Sequence, residues 1–376
     1  MKVGVDARLL SRPITGIGRY TIEMCQALAK VRGLSLYLYS PAPIPYAVMK
    51  GLGETHIRTK NWNNGLLRQF WTESYLPSWA KKDQVDIFWG PAHRLPLCLP
   101  SHMARVVTIH DLVWKYAGDT MRPLSRLLER YQMPLSVKKA DKVVADSMAT
   151  LSALDREFDI DSNKLSVVTL GTSSPVDIAP FKALQDLYNI SRPYFLFVGT
   201  LEPRKNLLRL LAAYSRLPDS IRNDALLVIA GGQGWGGIDI RNAIANLGLE
   251  SHVRLVGYVD EPTLASLYKN ALFLAMPSLY EGFGLPLVEA MAYGTPVLTS
   301  NNSSMPEVTG DAGLLIDAED IGSIENGLTK LILDEEMRNS LADKAQNNVA
   351  RFNWDESARQ LITVFDEAIS VRQGGL

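Results

Sequence analysis

One stretch, residues 276–295 with the sequence MPSLYEGFGLPLVEAMAYGT, constrains the fold of this chain more than any other. It continues the apolar run at residues 272–276, whose length and flanking proline predict a buried strand. A glycine-bearing loop follows, and Pro286 suits the first turn of a helix that closes at Gly294. The stretch therefore predicts a strand, a tight turn and a helix N-terminus, where backbone N–H groups and the helix dipole favour an anion.

Two glutamates bracket this turn. Glu281 lies in the loop, and Glu289 lies about one turn into the predicted helix. Backbone N–H groups can bind phosphate while carboxylates accept hydrogen bonds from hydroxyls, so the arrangement suits a phosphorylated sugar. An ordinary strand-to-helix turn with two solvent-facing glutamates is the alternative.

Length and composition indicate a two-domain protein. A chain of 376 residues suggests two domains, and 47% apolar with 21% charged residues are values of a protein with an ample core. No apolar run approaches the roughly 18 residues that span a bilayer, and the first residues predict a strand rather than a signal peptide. Cys25 and Cys98 form no metal or redox pattern, which favours a reducing cytoplasm.

The charge is unevenly distributed along the chain. Residues 1–170 hold 23 Lys and Arg against 15 Asp and Glu, a net charge of +8. The remaining residues hold 16 against 25, a net charge of −9. The first half is therefore predicted to meet something anionic.

Alternating strands and helices predict a doubly wound parallel sheet in each half. Residues 171–193, with Gly171 and three prolines, are predicted to link the halves. Gly16 and Gly18 open the first predicted helix, but Thr21 occupies the third position of a dinucleotide fingerprint. A loop facing a phosphate or an acceptor is favoured there, and a plain helix cap is the alternative.

Chemistry-bearing residues follow two of the predicted strands. His110 and Asp111 follow the strand at residues 106–109, and Arg204 and Lys205 follow the strand at residues 194–200. Ligands of open α/β sheets bind at the carboxyl ends of strands. Arginine can contact a phosphate with two N–H groups and lysine with a point charge, so this pair predicts a diphosphate site, with a solvated loop as the alternative.

Two basic, aromatic segments suit an anionic membrane surface. Residues 66–82 are rich in Trp, Tyr and Leu and end in lysines. Residues 122–142 place basic side chains among leucines, namely Arg122, Arg126, Arg130, Lys138, Lys139 and Lys142. Amphipathic helices with solvated basic faces are the alternative.

The motifs VGTLEPRKN, SLYEGFGLPLVEAMAYGTPVLTS and MPEVTGDAGLLID together resemble the retaining GT-B glycosyltransferases of family four. The resemblance extends over nearly the whole chain, through KVGVDAR, TGIGRY and TIHDL. It implies two Rossmann-like, doubly wound parallel-sheet domains facing across a cleft. Residues 1–175 would bind the acceptor, residues 190–354 would bind a nucleotide-sugar, and a final helix at about 355–376 would cross back onto the first domain.

The resemblance also implies roles for individual residues. Arg204 and Lys205 would neutralise the leaving diphosphate, Glu289 would accept hydrogen bonds from the ribose, and Glu281 would hold the sugar. The implied catalytic residues are His110, Arg204, Lys205 and Glu281. The implied donor-binding residues are Gly16, Gly18, Gly199, Arg204, Lys205, Phe283, Gly284, Leu285 and Glu289. Asp111 and Arg19 would lie on the acceptor side.

The short GIGRY and TIHD segments look most similar to those of bacterial mannosyltransferases that build lipopolysaccharide O-antigens. This similarity implies GDP-mannose as donor, a lipid-diphosphate-linked glycan as acceptor, and an α-mannosidic linkage. No metal is expected to be required, because two cations and a helix N-terminus can stabilise the leaving group and no DxD-type acidic pair is suitably placed. The protein is expected in the cytoplasm, at the inner face of the membrane, without a nucleic-acid partner.

Other functions fit parts of this pattern. A glucosyl- or other hexosyltransferase would use a UDP- or ADP-sugar on the same fold. A nucleotide-sugar epimerase would release a modified sugar without an acceptor, and a dehydrogenase lacks its glycine fingerprint here. A catalytically silent sugar-binding member is the non-enzyme alternative.

Overall fold

The computed structural model describes residues 1–12, 14, 16–53, 55–62, 65–172, 178–236 and 239–374. The chain divides into two compact units. The first unit comprises Met1–Leu112, Ser125–Gly171 and Phe352–Leu376, and the second comprises Val113–Leu124 and Thr172–Arg351. Val113–Leu124 belongs to the second unit, whereas all of residues 1–175 are predicted from the sequence to lie in the first domain.

The strands form one parallel sheet in each unit. In the first unit they are β1 Lys2–Asp6, β2 Ser35–Ser40, β3 His56–Thr59, β4 Ile87–Gly90, β5 Ala104–Ile109, β6 Lys142–Ala145 and β7 Leu165–Val167. In the second unit they are β8 Tyr194–Val198, β9 Leu226–Ala230, β10 Val253–Gly257, β11 Leu274–Met276, β12 Val297–Ser300 and β13 Gly313–Ile316. Most of the central strands are buried along their whole length, which is why they appear in the sequence as continuous apolar runs.

The helices connect and cover these strands. They are α1 Gly16–Ala29, α2 Tyr46–Met49, α3 Gly65–Phe70, α4 Leu76–Asp83, α5 Val113–Tyr116, α6 Pro123–Lys139, α7 Met148–Glu157, α8 Phe181–Tyr188, α9 Leu207–Arg216, α10 Asp219–Asp224, α11 Ile240–Asn246, α12 Glu261–Asn270, α13 Leu285–Ala292, α14 Met305–Thr309, α15 Ile321–Leu333, α16 Glu335–Val349 and α17 Trp354–Gly374. Among the described residues, no helix combines the length and apolar character needed to cross a bilayer.

Each sheet has a point at which the strand order reverses. The first sheet has the order β3-β2-β1-β4-β5-β6-β7, and the second has the order β10-β9-β8-β11-β12-β13. The order reverses between β1 and β4 and between β8 and β11, and at such switch points the loops on either side leave a crevice at the carboxyl ends of the strands. Each unit therefore has one favoured place for a ligand.

Aromatic packing holds the second sheet to its helices. Phe195 of β8 stacks on Phe273 with ring centres 5.1 Å apart, and Tyr214 of α9 meets Phe195 edge-on at 5.1 Å. All three side chains are fully buried. This core fixes the start of β8 and the approach to β11, and so fixes the two loops that follow these strands.

The final helix packs within the first unit, as the sequence predicts. Ser357 of α17 donates a hydrogen bond to the carbonyl of Thr169, and Arg372 pairs with Asp141 at 2.7 Å. Lys142 of β6 pairs with Glu367 at 2.5 Å. These contacts explain why the last helix of the chain belongs to the unit that contains its beginning.

Two sequence predictions are corrected by the structure. The predicted linker at residues 171–193 contains the helix α8, because Leu184 is buried and Pro180 precedes the helix instead of interrupting it. The basic segment at residues 122–142 ends as a helix at Lys139, and Lys142 is a buried residue of β6. Lys142 therefore does not belong to a basic surface.

Candidate active site

The switch point of the second sheet collects three predicted site residues. After β8 a short 3-10 turn, Pro203–Lys205, carries Arg204 and Lys205. After the neighbouring strand β11, the chain turns through Glu281 before α13 begins. The parallel pairing of β8 with β11 brings these two loops together at one edge of the sheet.

Glu281 bridges both cations. Its Oε2 lies 2.5 Å from Nη1 of Arg204, and its Oε1 lies 2.5 Å from Nζ of Lys205. Arg204 also donates from Nη1 to the carbonyl oxygen of Tyr280 at 2.8 Å. Such charge-assisted hydrogen bonds fix the positions of both cations.

Glu281 and Lys205 are buried and Arg204 is partly buried, so burial and neighbouring charges both act on the pKa values of this cluster. Burial opposes ionisation of Glu281, but the charges and hydrogen bonds of Arg204 and Lys205 outweigh it and lower the pKa of this carboxyl to about 2. Burial also lowers the pKa of Lys205, against the opposing effect of Glu281. Two cations share the carboxylate of Glu281, and Glu202 lies farther off, 4.0 Å from Arg204, so the cluster suits a bound anion.

The turn that carries Glu281 is held by two serines. The backbone N–H of Glu281 donates to Oγ of Ser303 at 3.1 Å. Ser304 donates from Oγ to the carbonyl oxygens of Glu281 and Phe283, at 3.1 and 3.0 Å. These serines belong to none of the predicted site residues, and their only signal in the sequence is a polar run directly before the MPEV motif.

Gly284 directs the chain into α13. It precedes the helix with φ of +97°, a left-handed conformation that side chains disfavour. A Cβ there would also lie 3.1 Å from Leu287 and 3.3 Å from Met276. The glycine thus places the N-terminus of α13 beside the cation cluster, and unsatisfied N–H groups of a first helical turn favour an anion.

Glu289 lies farther along α13 and is half-buried. Its Oε2 accepts a hydrogen bond of 2.9 Å from the hydroxyl of Tyr268, which is buried on α12. The carboxylate is thereby oriented, and a carboxylate in this position can accept hydrogen bonds from ligand hydroxyls.

Close backbone contact explains the glycine directly after β9. A Cβ on Gly231 would lie 1.9 Å from the carbonyl oxygen of Gly199, so no side chain fits. Gly199, a predicted donor-binding residue, faces the Lys205 side chain, whose Cε would be 3.4 Å from its Cβ. The loop after β9, residues 231–237, is described only as far as residue 236.

Asn206 ties three loops of this site together. It has φ of +60° and donates from Nδ2 to the carbonyl oxygens of Pro277, at 3.0 Å, and Ala318, at 2.7 Å. These carbonyls follow β11 and β13, whereas Asn206 follows β8. The sequence places an asparagine before a helix, which usually signals an N-cap, so its bridging role could not be read from position alone.

The remaining predicted residues lie in the first unit. Gly16 and Gly18 form the first turn of α1, followed there by Arg19, and a Cβ on either glycine would make no close contact with the described residues. His110 and Asp111 follow β5, as predicted. Packing among the described residues therefore does not by itself require glycine at positions 16 and 18.

His110 is buried with both ring nitrogens facing protein acceptors. Nδ1 lies 2.5 Å from Oδ2 of Asp146, and Nε2 lies 2.6 Å from the carbonyl oxygen of Pro91. The edge of the Tyr20 ring packs against the imidazole at 4.7 Å. A ligand that hydrogen-bonds to Nε2 must replace the contact with Pro91.

The structure thus assembles two groups of predicted residues. The group in the second unit comprises Gly199, Arg204, Lys205, Glu281, Phe283, Gly284, Leu285 and Glu289. The group in the first unit comprises Gly16, Gly18, Arg19, His110 and Asp111. Within the described ranges, no three His, Cys, Asp or Glu side chains are arranged to hold a metal ion.

Two family models match the chain. The model of glycosyl transferases group 1 matches residues 186–348, and the model of glycosyltransferase family 4 matches residues 14–173. The chain is 30% identical to the O-antigen chain mannosyltransferase B of Escherichia coli, over 97% of this chain and 99% of that protein.

Solved structures share the same fold. Sucrose-phosphate synthase from Thermosynechococcus elongatus superposes with a TM-score of 0.78 at 21% identity, covering 98% of this chain and 99% of that chain. Anabaena HepE in complex with UDP and glucose superposes with a TM-score of 0.77 at 17% identity, covering 97% and 99%. The predicted GT-B fold and the predicted resemblance to family-four glycosyltransferases are confirmed.

Proposed function

Because the chain belongs to the family-four (group 1) glycosyltransferases, we propose that it is a retaining hexosyltransferase that moves mannose from GDP-mannose onto a lipid-diphosphate-linked glycan, forming an α-mannosidic linkage. The observation that supports donor binding is the Arg204–Lys205–Glu281 cluster at the switch point of the second sheet. A nucleoside diphosphate is a good leaving group once its developing charge is stabilised. Two fixed cations beside a helix N-terminus supply that stabilisation.

Each part of the donor would contact a different part of this site. Phosphate oxygens would bind Arg204 and Lys205, and the sugar would lie against Glu281 and the backbone of Phe283, Gly284 and Leu285. The ribose would hydrogen-bond to Glu289, which Tyr268 already orients. Glu281 would hold both cations in position before the donor arrives.

Transfer with retention needs no protein nucleophile in this proposal. The acceptor hydroxyl attacks the anomeric carbon on the face that the diphosphate leaves, and the leaving phosphate oxygen takes the hydroxyl proton. His110 would contact the transferred sugar, Gly16 and Gly18 would lie near the phosphates, and Asp111 and Arg19 would serve the acceptor side. Arg204 and Lys205 carry the charge stabilisation, so EDTA is expected to leave turnover unchanged.

The proposal that the transferred sugar is mannose is supported by similarity to a mannosyltransferase. The Escherichia coli protein is an O-antigen mannosyltransferase, whereas HepE was solved with UDP and glucose. A thermal-shift panel of GDP, UDP, ADP and their sugar conjugates separates these donors, because a ligand that binds only the folded protein raises its apparent stability. We expect the largest shift with GDP and GDP-mannose.

The same panel tests the ribose contact. Glu289→Ala is expected to reduce the nucleotide shift, while Tyr268→Phe, which removes only the orienting hydroxyl, should reduce it less. A shift selective for UDP or ADP conjugates would replace the proposed donor. Absence of any shift would contradict the donor site, and release of an altered sugar would indicate an epimerase.

We also propose that the protein works at the inner face of the cytoplasmic membrane and that α6 contacts anionic lipid. This helix exposes apolar side chains, namely Leu124, Leu127, Leu128, Tyr131 and Leu135. It also exposes the basic side chains of Arg126, Arg130 and Lys138, and Arg122, directly before the helix, is exposed as well. Leu135 lines a cavity of about 50 Å³ together with Gln69 of α3, whose neighbours Leu67 and Phe70 are exposed as well. Leucine and aromatic side chains beside cations suit the headgroup region.

Vesicle binding tests this surface. Arg126→Gln with Arg130→Gln is expected to weaken binding to phosphatidylglycerol vesicles about fivefold per charge, because each cation near an anionic surface contributes about 1 kcal/mol. Co-sedimentation measures the bound fraction. Leu187→Gln is the control, because it changes a leucine on α8 that is about as exposed as Leu124 of α6. Equal binding of all variants would identify α6 as an ordinary solvated helix.

A further inference from the structure

The first sheet has its own switch point, and arginines surround it. Arg8 lies in a short 3-10 turn, Arg8–Ser11, directly after β1, and Arg12 ends that turn. Arg94 follows the neighbouring strand β4. Because ligands of such sheets bind where the strand order reverses, these side chains lie where this unit favours a ligand.

Arg8 is held rigidly at this place. Its Nε lies 2.9 and 2.8 Å from the two carboxylate oxygens of Asp6, and Nη2 lies 2.6 Å from Oδ2. The guanidinium lies over the ring of Trp71, 5.4 Å from its centre, and Trp71 is fully buried. A planar cation stacked on an indole and paired with a buried carboxylate is pre-organised, so little entropy is lost when it binds a ligand.

Arg12 and Arg68 add charge that no carboxylate balances. Arg68 lies one turn before Trp71 and donates from Nε to the carbonyl oxygen of Trp62 at 3.3 Å. Within the described part of the chain, neither guanidinium forms an ion pair, and the Arg12 side chain forms no hydrogen bond. Burial lowers the pKa of Arg12, and the positive charges of Arg68 and Arg8 lower it further. Arg12 lies four residues after Arg8, and Arg68 lies one turn before Trp71, on whose ring Arg8 stacks, so a bound anion can reach positive charge from all three.

The acids near this cluster are already engaged. Asp6 pairs with Arg8, and Glu129 lies 3.3 Å from Nδ1 of His93 and 4.0 Å from Nη2 of Arg94. These carboxylates pair with Arg8, His93 and Arg94, and among the described residues no ion pair reaches Arg12 or Arg68. Arginine binds phosphate oxygens through paired N–H groups, so this cluster suits a phosphate or diphosphate better than a single carboxylate.

We propose that Arg8, Arg12 and Arg68 form a phosphate-binding site at the switch point of the first sheet, and that it binds the diphosphate of the acceptor. The proposal rests on the proposed function, which supplies an acceptor with a diphosphate. Arg8 would bind the phosphate with a guanidinium that Asp6 and Trp71 hold in place. Arg12 and Arg68 would add positive charges that have no ion-pair partner among the described residues. The site lies wholly within the first unit, whereas Arg204 and Lys205 belong to the second.

Inorganic pyrophosphate is the probe for this site. Isothermal titration is carried out on the full chain with the donor site saturated by the nucleoside diphosphate that gives the largest thermal shift. We expect Arg12→Gln and Arg68→Gln each to weaken pyrophosphate binding about tenfold, the effect of one lost charge-assisted hydrogen bond. Arg32→Gln removes the same charge from an exposed position before β2, at the amino end of the sheet, and should change the affinity less than twofold.

A second measurement distinguishes an acceptor diphosphate from a lipid headgroup. In binding to phosphatidylglycerol vesicles, we expect the Arg12→Gln, Arg68→Gln double variant to match the wild type. Equal pyrophosphate affinity in all variants would overturn the site, and loss of vesicle binding without an effect on pyrophosphate would assign the arginines to lipid and overturn the proposal. Nucleotide thermal shifts report on the donor site separately, so failure of the proposed function is recognised by their absence.

Discussion

Lys205→Ala is expected to lower kcat about 10²- to 10³-fold, equivalent to ~2.7–4 kcal/mol in the barrier, as for loss of one donor that stabilises a developing charge. Lys205 is buried, its Nζ is fixed by Glu281 at 2.5 Å, and the side chain lies at the switch point where the diphosphate is proposed to leave. The positive charge matters more in the transition state than in the bound donor, because the leaving oxygen gains charge as the glycosidic bond breaks. We therefore expect kcat to fall more than the affinity for the nucleotide.

Steady-state transfer of sugar to acceptor measures this effect. Lys269→Ala, which removes an exposed lysine of α12, is the control and should retain wild-type turnover. Lys205→Ala keeps the ion pair of Arg204 with Glu281, so we expect the variant to fold. Circular dichroism verifies its folding. A kcat within threefold of the wild type would remove Lys205 from the catalytic machinery.

The sequence predicts the second unit more completely than the first. The stretch at residues 276–295 encodes its own local structure, since an apolar strand, Gly284 and Pro286 determine where β11 ends and α13 begins. Arg204 and Lys205 could be placed beside Glu281 because parallel strands end at a common edge. That their side chains share one carboxylate needs the strand order β8-β11, which no local pattern contains.

Asn206 and Ser303 could not be predicted as site residues because they act through long-range contacts. Asn206 acts through carbonyl oxygens 71 and 112 residues away, and Ser303 acts through the backbone of Glu281, so neither has a local signature. The strand β4 was missed, although it lies at the centre of the first sheet beside β1. The arginine cluster at that switch point depends on this strand order and was missed with it.

Glu281→Gln is expected to lower the free energy of unfolding of the second unit by about 3–5 kcal/mol, the usual cost of removing one member of a buried ion pair. The carboxylate is buried between Arg204 and Lys205, and the variant leaves the two cations with only the partly exposed Glu202, 4.0 Å from Arg204, as a counter-charge. Urea denaturation measures the change. Glu202→Gln is the matched control, because Glu202 lies 4.0 Å from Arg204 and is partly exposed, so its loss should cost well under 1 kcal/mol.

The same carboxylate gives this stability a pH dependence of defined sign. The pKa of Glu281 is about 2 in the folded protein, below its ordinary value of 4.5. Its contribution is therefore complete above about pH 4.5 and is lost as the pH falls from there towards 2, because the unfolded chain binds the proton more readily. Glu281→Gln should flatten this acid limb, whereas Glu202→Gln should retain it. Pyrophosphate should stabilise Glu281→Gln more than the wild type, because a phosphate then supplies the missing negative charge to Arg204 and Lys205. An unchanged acid limb in Glu281→Gln would mean that other carboxylates control acid unfolding and that this ion cluster does not hold the site together.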